Sequence, residues 1–197
     1  MKKVLYVLAL CTSFLFQNAL TAKAVPEVQL RADKIADDQK FYQTISPLID
    51  QFVMTIKKED GNVWSPLCDP KEGIVFRYLG HYTTKLNCKE WRGLFQETKS
   101  RWWGRYDGSG QPITGTFKKI WQDRFDDIAK NYQTVGVNRW IKSGNVPNQG
   151  MDKLPFIDLT WSGPKGEEMG WQSLHLFFIF KNGQWWLKGL DLYHWTI

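Results

Sequence analysis

The segment Ser173–Trp195, SLHLFFIFKNGQWWLKGLDLYHW, constrains this chain more than any other. Two long apolar runs flank Asn182-Gly183, the residue pair that a two-residue type I′ hairpin demands because both turn positions need positive φ. The segment therefore reads as two antiparallel strands, Ser173–Phe180 and Trp185–Trp195. With Asn182 and Gly183 as the turn, Lys181 pairs with Gln184. Counting outward without interruption, His175 faces Leu190, His194 faces Trp171, and Asp191 lies opposite Leu174. Both histidines then share one sheet face, about 13 Å apart at the usual rise per residue. Asp191 falls on the other, among Leu174, Leu176, Phe178 and Leu187.

Upstream, the apolar spacing changes to the helical period. Ile35, Tyr42, Ile45, Ile49, Phe52, Val53 and Ile56 mark a helical stretch over 33–58, ended by Glu59-Asp60-Gly61-Asn62. Ser46-Pro47 reads as an N-cap followed by proline at the first helical position, so two helices or one sharply kinked helix are expected. Gly73–Tyr78 reads as a strand and Asn87 as the cap of a short helix over 88–97. Trp102–Tyr106 is extended, Asp107-Gly108-Ser109-Gly110 is a turn, and Thr116 caps a helix whose face carries Phe117, Ile120, Trp121, Phe125 and Ile128. Val135–Ile141 and Phe156–Trp161 read as strands, separated by a loop over 145–153. Helices before strands indicate an α+β fold: N-terminal helices packed on a curved antiparallel sheet.

The first 24 residues have a different character. Lys2 and Lys3 precede an apolar run from Val4 to Phe16, and Ala22-Lys23-Ala24 has small residues where a signal peptidase reads them. The expectation is a signal peptide at 1–24 and a single domain at 25–197, in an exported protein that is periplasmic or secreted. The apolar run is short for a membrane span, which needs about 20 residues. The alternative, a lipoprotein anchored at Cys11, meets bulky Leu10 where a small residue belongs. Cleavage would remove three lysines and no acids, taking the formal charge from +6 to +3. The basic residues are scattered among acids, which excludes a nucleic-acid tract. Cys68 and Cys88 alone remain after cleavage, and two cysteines in an exported chain point to a disulfide. Two buried thiols are the alternative.

Two segments carry a family likeness. WWGRYDGSGQPITGTFKKIW and GWQSLHLFFIFKNGQWWLKGLDLYHWTI, preceded by DPKEGIVFRY, resemble a group of small exported bacterial proteins of unassigned function. Those in turn resemble the nuclear-transport-factor-2-like (SnoaL-like) superfamily. The resemblance spans about two-thirds of the chain after residue 24, counted from Asp69. It implies an NTF2-like cone, helices against a strongly curved sheet, and an exported location. It supplies no activity. Where the group carries histidine and acidic residues before its terminal Trp-Thr-Ile, this chain has Leu192-Tyr193-His194.

Asp107-Gly108-Ser109-Gly110 suggests a calcium loop, but with Gly110 at the invariant glycine position, Arg105 and Thr116 occupy places that need Asp and Glu. A phosphate loop fails too, because Gly110 is followed by Gln111-Pro112 rather than Gly-Lys-Ser/Thr. No metal site and no cofactor are expected. Neither G-x-S-x-G nor H-E-x-x-H occurs. Asp191, His175 and His194 are the catalytic candidates, each with a purely structural alternative; convergence of Asp191, His175 and Tyr106 on one concave site would favour an enzyme. All eleven tryptophans lie beyond residue 24. In the doublets Trp102-Trp103 and Trp185-Trp186 one ring must face the core and one the other side. Trp102, Trp103, Tyr106, Trp171, His175 and Trp186 are the ligand-binding candidates. The expected role is a non-enzymatic binding module for a small molecule, a cell-wall glycan or an exported protein partner. The alternatives are a hydrolase or isomerase built around a cavity, and an inhibitor of another exported protein.

Overall fold

The computed structural model describes residues 25–142, 151, 153–165, 167 and 169–195. The expected signal peptide, Cys11, most of the 145–153 loop and the terminal Thr196-Ile197 lie outside them. Nine strands and five helices follow in the order β1 (Glu27–Gln29), α1 (Ile35–Lys58), α2 (Gly61–Trp64), β2 (Ile74–Tyr78), β3 (Tyr82–Leu86), α3 (Cys88–Arg92), β4 (Arg101–Arg105), β5 (Pro112–Gly115), α4 (Phe117–Ile120), α5 (Gln122–Asn131), β6 (Thr134–Val137), β7 (Phe156–Trp161), β8 (Gln172–Lys181) and β9 (Gln184–His194).

The fold is α+β, with two departures from expectation. Three helices, α3 to α5, lie between strands in mid-chain, so the helices are not all N-terminal. The main sheet, ordered β1-β6-β7-β8-β9-β2-β3, is open and mixed: β1 runs parallel to β6, and β2 parallel to β9. The remaining four pairings are antiparallel. Strand β2 reaches the edge of the C-terminal hairpin from far away in sequence, a pairing that no local turn signal announces.

Helix α1 runs through Pro47 as one element. The proline is exposed, while Ile45, Ile49, Phe52, Val53 and Ile56 continue a single buried stripe on both sides of it. Burying that stripe outweighs one lost amide bond. Glu59 ends the helix in the left-handed conformation, φ 51°, with its N–H on the carbonyls of Ile56 and Thr55. Asn87 caps α3 in a full capping box with Glu90. Thr116 caps α4, and Trp121 separates α4 from α5.

One sheet face packs on α1 and α5 through Leu174, Leu176, Phe178, Leu190, Leu192 and Phe76. Aromatics extend this core under β4: Trp103 meets Phe76, Phe117 and Trp121 edge-on, and Trp64 stacks on Trp91 with centroids 3.8 Å apart. Cys68 and Cys88 form the expected disulfide, with Cα atoms 5.6 Å apart, tying the segment before β2 to α3. Closing a loop of this length contributes about 3 kcal/mol in the chain-entropy account.

Candidate functional site

The hairpin turn forms as expected, with Asn182 at φ 54° and Gly183 at φ 80°. Lys181 pairs with Gln184, and the register holds as far as Phe178 opposite Leu187. There the uninterrupted count fails. Phe177 pairs with Gly189, so Lys188 is an extra residue and a β-bulge shifts everything beyond it by one. His175 therefore faces Asp191, not Leu190, and His194 faces Gln172, not Trp171. The two histidines stand on opposite faces. Asp191 leaves the leucine face for a polar one.

That polar face is sealed. Asp158 on β7, Ser173 and His175 on β8, Asp191 and Tyr193 on β9, and Arg77 on β2 are all buried. Asp191 Oδ2 is 2.9 Å from Arg77 Nη2 and accepts from the Tyr193 hydroxyl at 3.2 Å; its Oδ1 accepts from the Gly80 amide at 3.0 Å. Burial pushes the Asp191 carboxyl above the usual carboxylate range, and the Arg77 guanidinium opposes that. Asp158 accepts from the Ser173 and Thr160 hydroxyls and, at 2.7 Å, from the Ile141 amide. His175 Nε2 lies 3.2 Å from Ser173 Oγ and 3.3 Å from Asp158 Oδ2. Trp140 packs edge-on over the imidazole, centroids 4.3 Å apart, and Met151, Phe156 and Phe177 complete the cover.

The composition Ser-His-Asp invites a catalytic reading, but the geometry opposes it. A relay needs serine on one ring nitrogen and the acid on the other. Here Ser173 and Asp158 both address Nε2, Ser173 already donates to Asp158, and Nδ1 has no hydrogen-bond partner among the described residues. No solvent reaches the hydroxyl.

An open site lies elsewhere, at the turn joining β4 and β5. Gly110 N–H donates to the Tyr106 carbonyl at 2.9 Å, the Asp107 carboxylate accepts from the Gly108 amide at 3.1 Å, and Gly108 and Gly110 take φ of 76° and 66°. Arg105 Nη1 donates to the Gly110 carbonyl at 2.8 Å. The loop's donors and acceptors thus close on the loop itself, and a guanidinium occupies the carbonyl that a cation would seek. Beside this turn is a cavity of about 530 Å³, walled by Tyr82, Tyr106, Tyr193, Arg105, Asp107 and His194. Trp102 stands edge-on to Tyr82 at 5.6 Å. Gly104, φ 137°, is required at the adjoining bulge, because a Cβ there would come within 2.5 Å of the Tyr82 ring.

His194 lies at the back of this cavity with both ring nitrogens engaged. Its Nδ1–H donates to the Trp195 carbonyl at 2.7 Å, so Nε2 accepts from the Tyr78 hydroxyl, also at 2.7 Å. Burial, reinforced by the Arg124 guanidinium, lowers the imidazole from 6.5 to about 4. Burial likewise raises the Tyr78 phenol to about 12.

The predicted residues therefore scatter. Tyr106 and His194 line the cavity, and Trp102, 48% exposed, supports its Tyr82 wall. Trp103 is fully buried, its Nε1 donating to the Gly115 carbonyl, so it offers no surface to a ligand. Trp186 is half-buried near the hairpin turn, and Trp171 borders a different groove. His175 and Asp191 are sealed, so Asp191, His175 and Tyr106 do not meet in one cavity. Sequence reasoning missed Tyr82, Arg105, Asp107 and Tyr193 as cavity residues. Among the described residues no cluster of three His, Cys, Asp or Glu could hold a metal, and no helix is long and apolar enough to cross a membrane.

No family model matches the chain, and no curated protein matches it. Among solved structures it is similar to Rv3472, a function unknown protein from Mycobacterium tuberculosis. The match has 12% identity and a TM-score of 0.36, covering 81% of this chain and 75% of that one. A likeness at that level carries no argument about fold or activity.

Proposed function

We propose that this protein is an exported, non-enzymatic binding module of NTF2-like fold that takes a small polar ligand, such as a glycan fragment, in the cavity beside Tyr106. The carrying observation is the cavity's make-up: about 530 Å³, two tyrosines for stacking, Tyr82 and Tyr106, and Arg105 and Asp107 as charged groups in its lining. This volume falls in the range of small-molecule sites, and aromatic walls with a few placed polar groups are their usual chemistry. Binding rather than catalysis is supported by His194, whose ring nitrogens are both committed to protein partners. Export is supported by the character of the first 24 residues and is compatible with the Cys68–Cys88 disulfide. The NTF2-like reading rests on the sequence motifs and on α1 and α5 packing against one sheet face.

The test is a titration of the full chain with mono- and disaccharides and short peptides, read by tryptophan fluorescence, since Trp102 touches the Tyr82 wall. A saturable change that Tyr106→Ala abolishes is the expected result. Silence across the panel, or a response that survives Tyr106→Ala, would overturn the reading.

A further inference from the structure

A second surface, independent of the Tyr106 cavity, gathers tryptophans and lysines. Trp161 ends β7, Trp171 precedes β8 and Trp195 follows β9. The register sets them at one end of three neighbouring strands: Trp161 pairs with Gln172, and the Trp195 amide donates to the Trp171 carbonyl at 3.3 Å. Trp171 and Trp195 wall a groove of about 730 Å³ together with Lys142, Lys165, Glu167 and Gln133. The groove adjoins a recess of about 460 Å³ that holds Trp161 and Lys130 and shares Gln133, Pro164 and Lys165 with it. Trp195 is 44% exposed. Lys142 lies over the Trp171 ring, Nζ 6.0 Å from the centroid, and no ion pair joins Lys142 or Lys165 to another described residue. Lys130 pairs with Asp126 and stays mostly exposed.

We infer that this Trp171–Trp195 groove binds a carboxylated glycan chain. Indole faces stack on the C–H faces of sugar rings, and Trp171 and Trp195 wall the same groove. Lys142 and Lys165 supply charge that forms no ion pair among the described residues, which suits carboxylates carried on the sugars. Glu167, in the same groove, is an acceptor for sugar hydroxyls, which a glycan chain offers along its length and a deoxyribose-phosphate backbone does not.

Isothermal titration of the full chain with oligogalacturonate of about six sugars tests this, with maltohexaose and single-stranded oligothymidylate as comparisons. The acidic oligosaccharide should bind, and more weakly as salt rises. Trp195→Ala should weaken it by about tenfold or more, as loss of a stacking anchor does. The double variant Lys142→Gln/Lys165→Gln should weaken it several-fold and flatten the salt dependence, with the melting temperature unchanged as a control on folding. Tyr106→Ala should leave it untouched. The inference falls if the acidic oligosaccharide does not bind, if maltohexaose binds as tightly, if only oligothymidylate binds, or if Tyr106→Ala abolishes binding while Trp195→Ala does not. The Tyr106→Ala comparison separates binding in this groove from binding in the Tyr106 cavity.

Discussion

His175 and His194 sit near the same end of the C-terminal hairpin, on strands bonded to each other, yet their surroundings are opposites. His175 belongs to a sealed set with Asp158, Ser173, Asp191, Tyr193 and Arg77, roofed by Trp140. His194 borders an open cavity with Tyr106 and Arg105. The difference is set by one inserted residue, Lys188, which rotates the far half of β9 by one position and sends the two rings to opposite faces. A buried polar cluster is therefore no guide to a binding site. Its groups are used up on each other, and any loss is felt by the fold. Tyr106 at the open cavity, 47% exposed, is spared that demand, so its loss should cost binding and leave the fold intact.

The largest effect expected from this contrast is at Asp191→Ala. It removes the carboxylate that faces the buried Arg77 guanidinium and should cost about 3–5 kcal/mol in urea denaturation. Replacing both partners, Arg77→Met with Asp191→Leu, should recover part of that loss, since the Gly80 amide and the Tyr193 hydroxyl still lose their acceptor. A cost under about 1 kcal/mol for the single variant would mean that water reaches the cluster, and the contrast would break. Next is the bulge itself. A Cβ at residue 189 would come within 2.7 Å of Met151 Sδ and 2.9 Å of the Val75 carbonyl, so Gly189→Ala should destabilise by about 1–3 kcal/mol. Comparable loss at Gly183, where a Cβ meets nothing within 4 Å, could come only from its positive φ and should be about 1 kcal/mol.

The pH response tests the surroundings of His194. The folded state lowers the His194 imidazole from 6.5 to about 4, so folding disfavours its proton. Its contribution to stability is complete above pH 6.5 and is lost as the pH falls towards about 4, where the unfolded chain binds a proton that the folded chain refuses. Urea midpoints between pH 7 and pH 4 should show this fall, and His194→Gln should shrink it. A slope identical in the variant would contradict the assignment. The smallest stability effect belongs to Tyr106→Ala. At 47% exposure its loss should move stability by no more than about 0.5 kcal/mol while removing any ligand response of the cavity.

Much of the fold is legible in residue pattern. Asn182-Gly183 announces its hairpin, Asn87 and Thr116 their helix caps, and Cys68 and Cys88 their bridge. The Trp102-Trp103 doublet divides as strand alternation requires, one ring half-exposed and one buried. Less legible are short strands without an apolar run: β3 and β5 expose alternate residues and are not among the strands expected from the sequence, and β5 begins on Pro112. Pro47 misleads in the other direction, because a proline on a solvent face interrupts a helix far less than its own propensity implies. For the site, the one local signal that could have moved Asp191 and His175 to their true face was Gly189, an isolated glycine inside a strand and a common mark of a bulge.

What the sequence determined by itself is local: the period of α1, the type I′ turn, the caps and the Asp107–Gly110 turn. Each depends on residues within a few positions of one another. What only the tertiary structure decided is which faces meet. The parallel join of β2 to β9, the roof of Trp140 over His175, and the cavity assembled from β3, the β4–β5 turn and the end of β9 all bring together residues far apart in the chain. A strand changes face with every residue, so a single bulge, favoured by packing against Met151 and Val75, outweighs every count made along the chain.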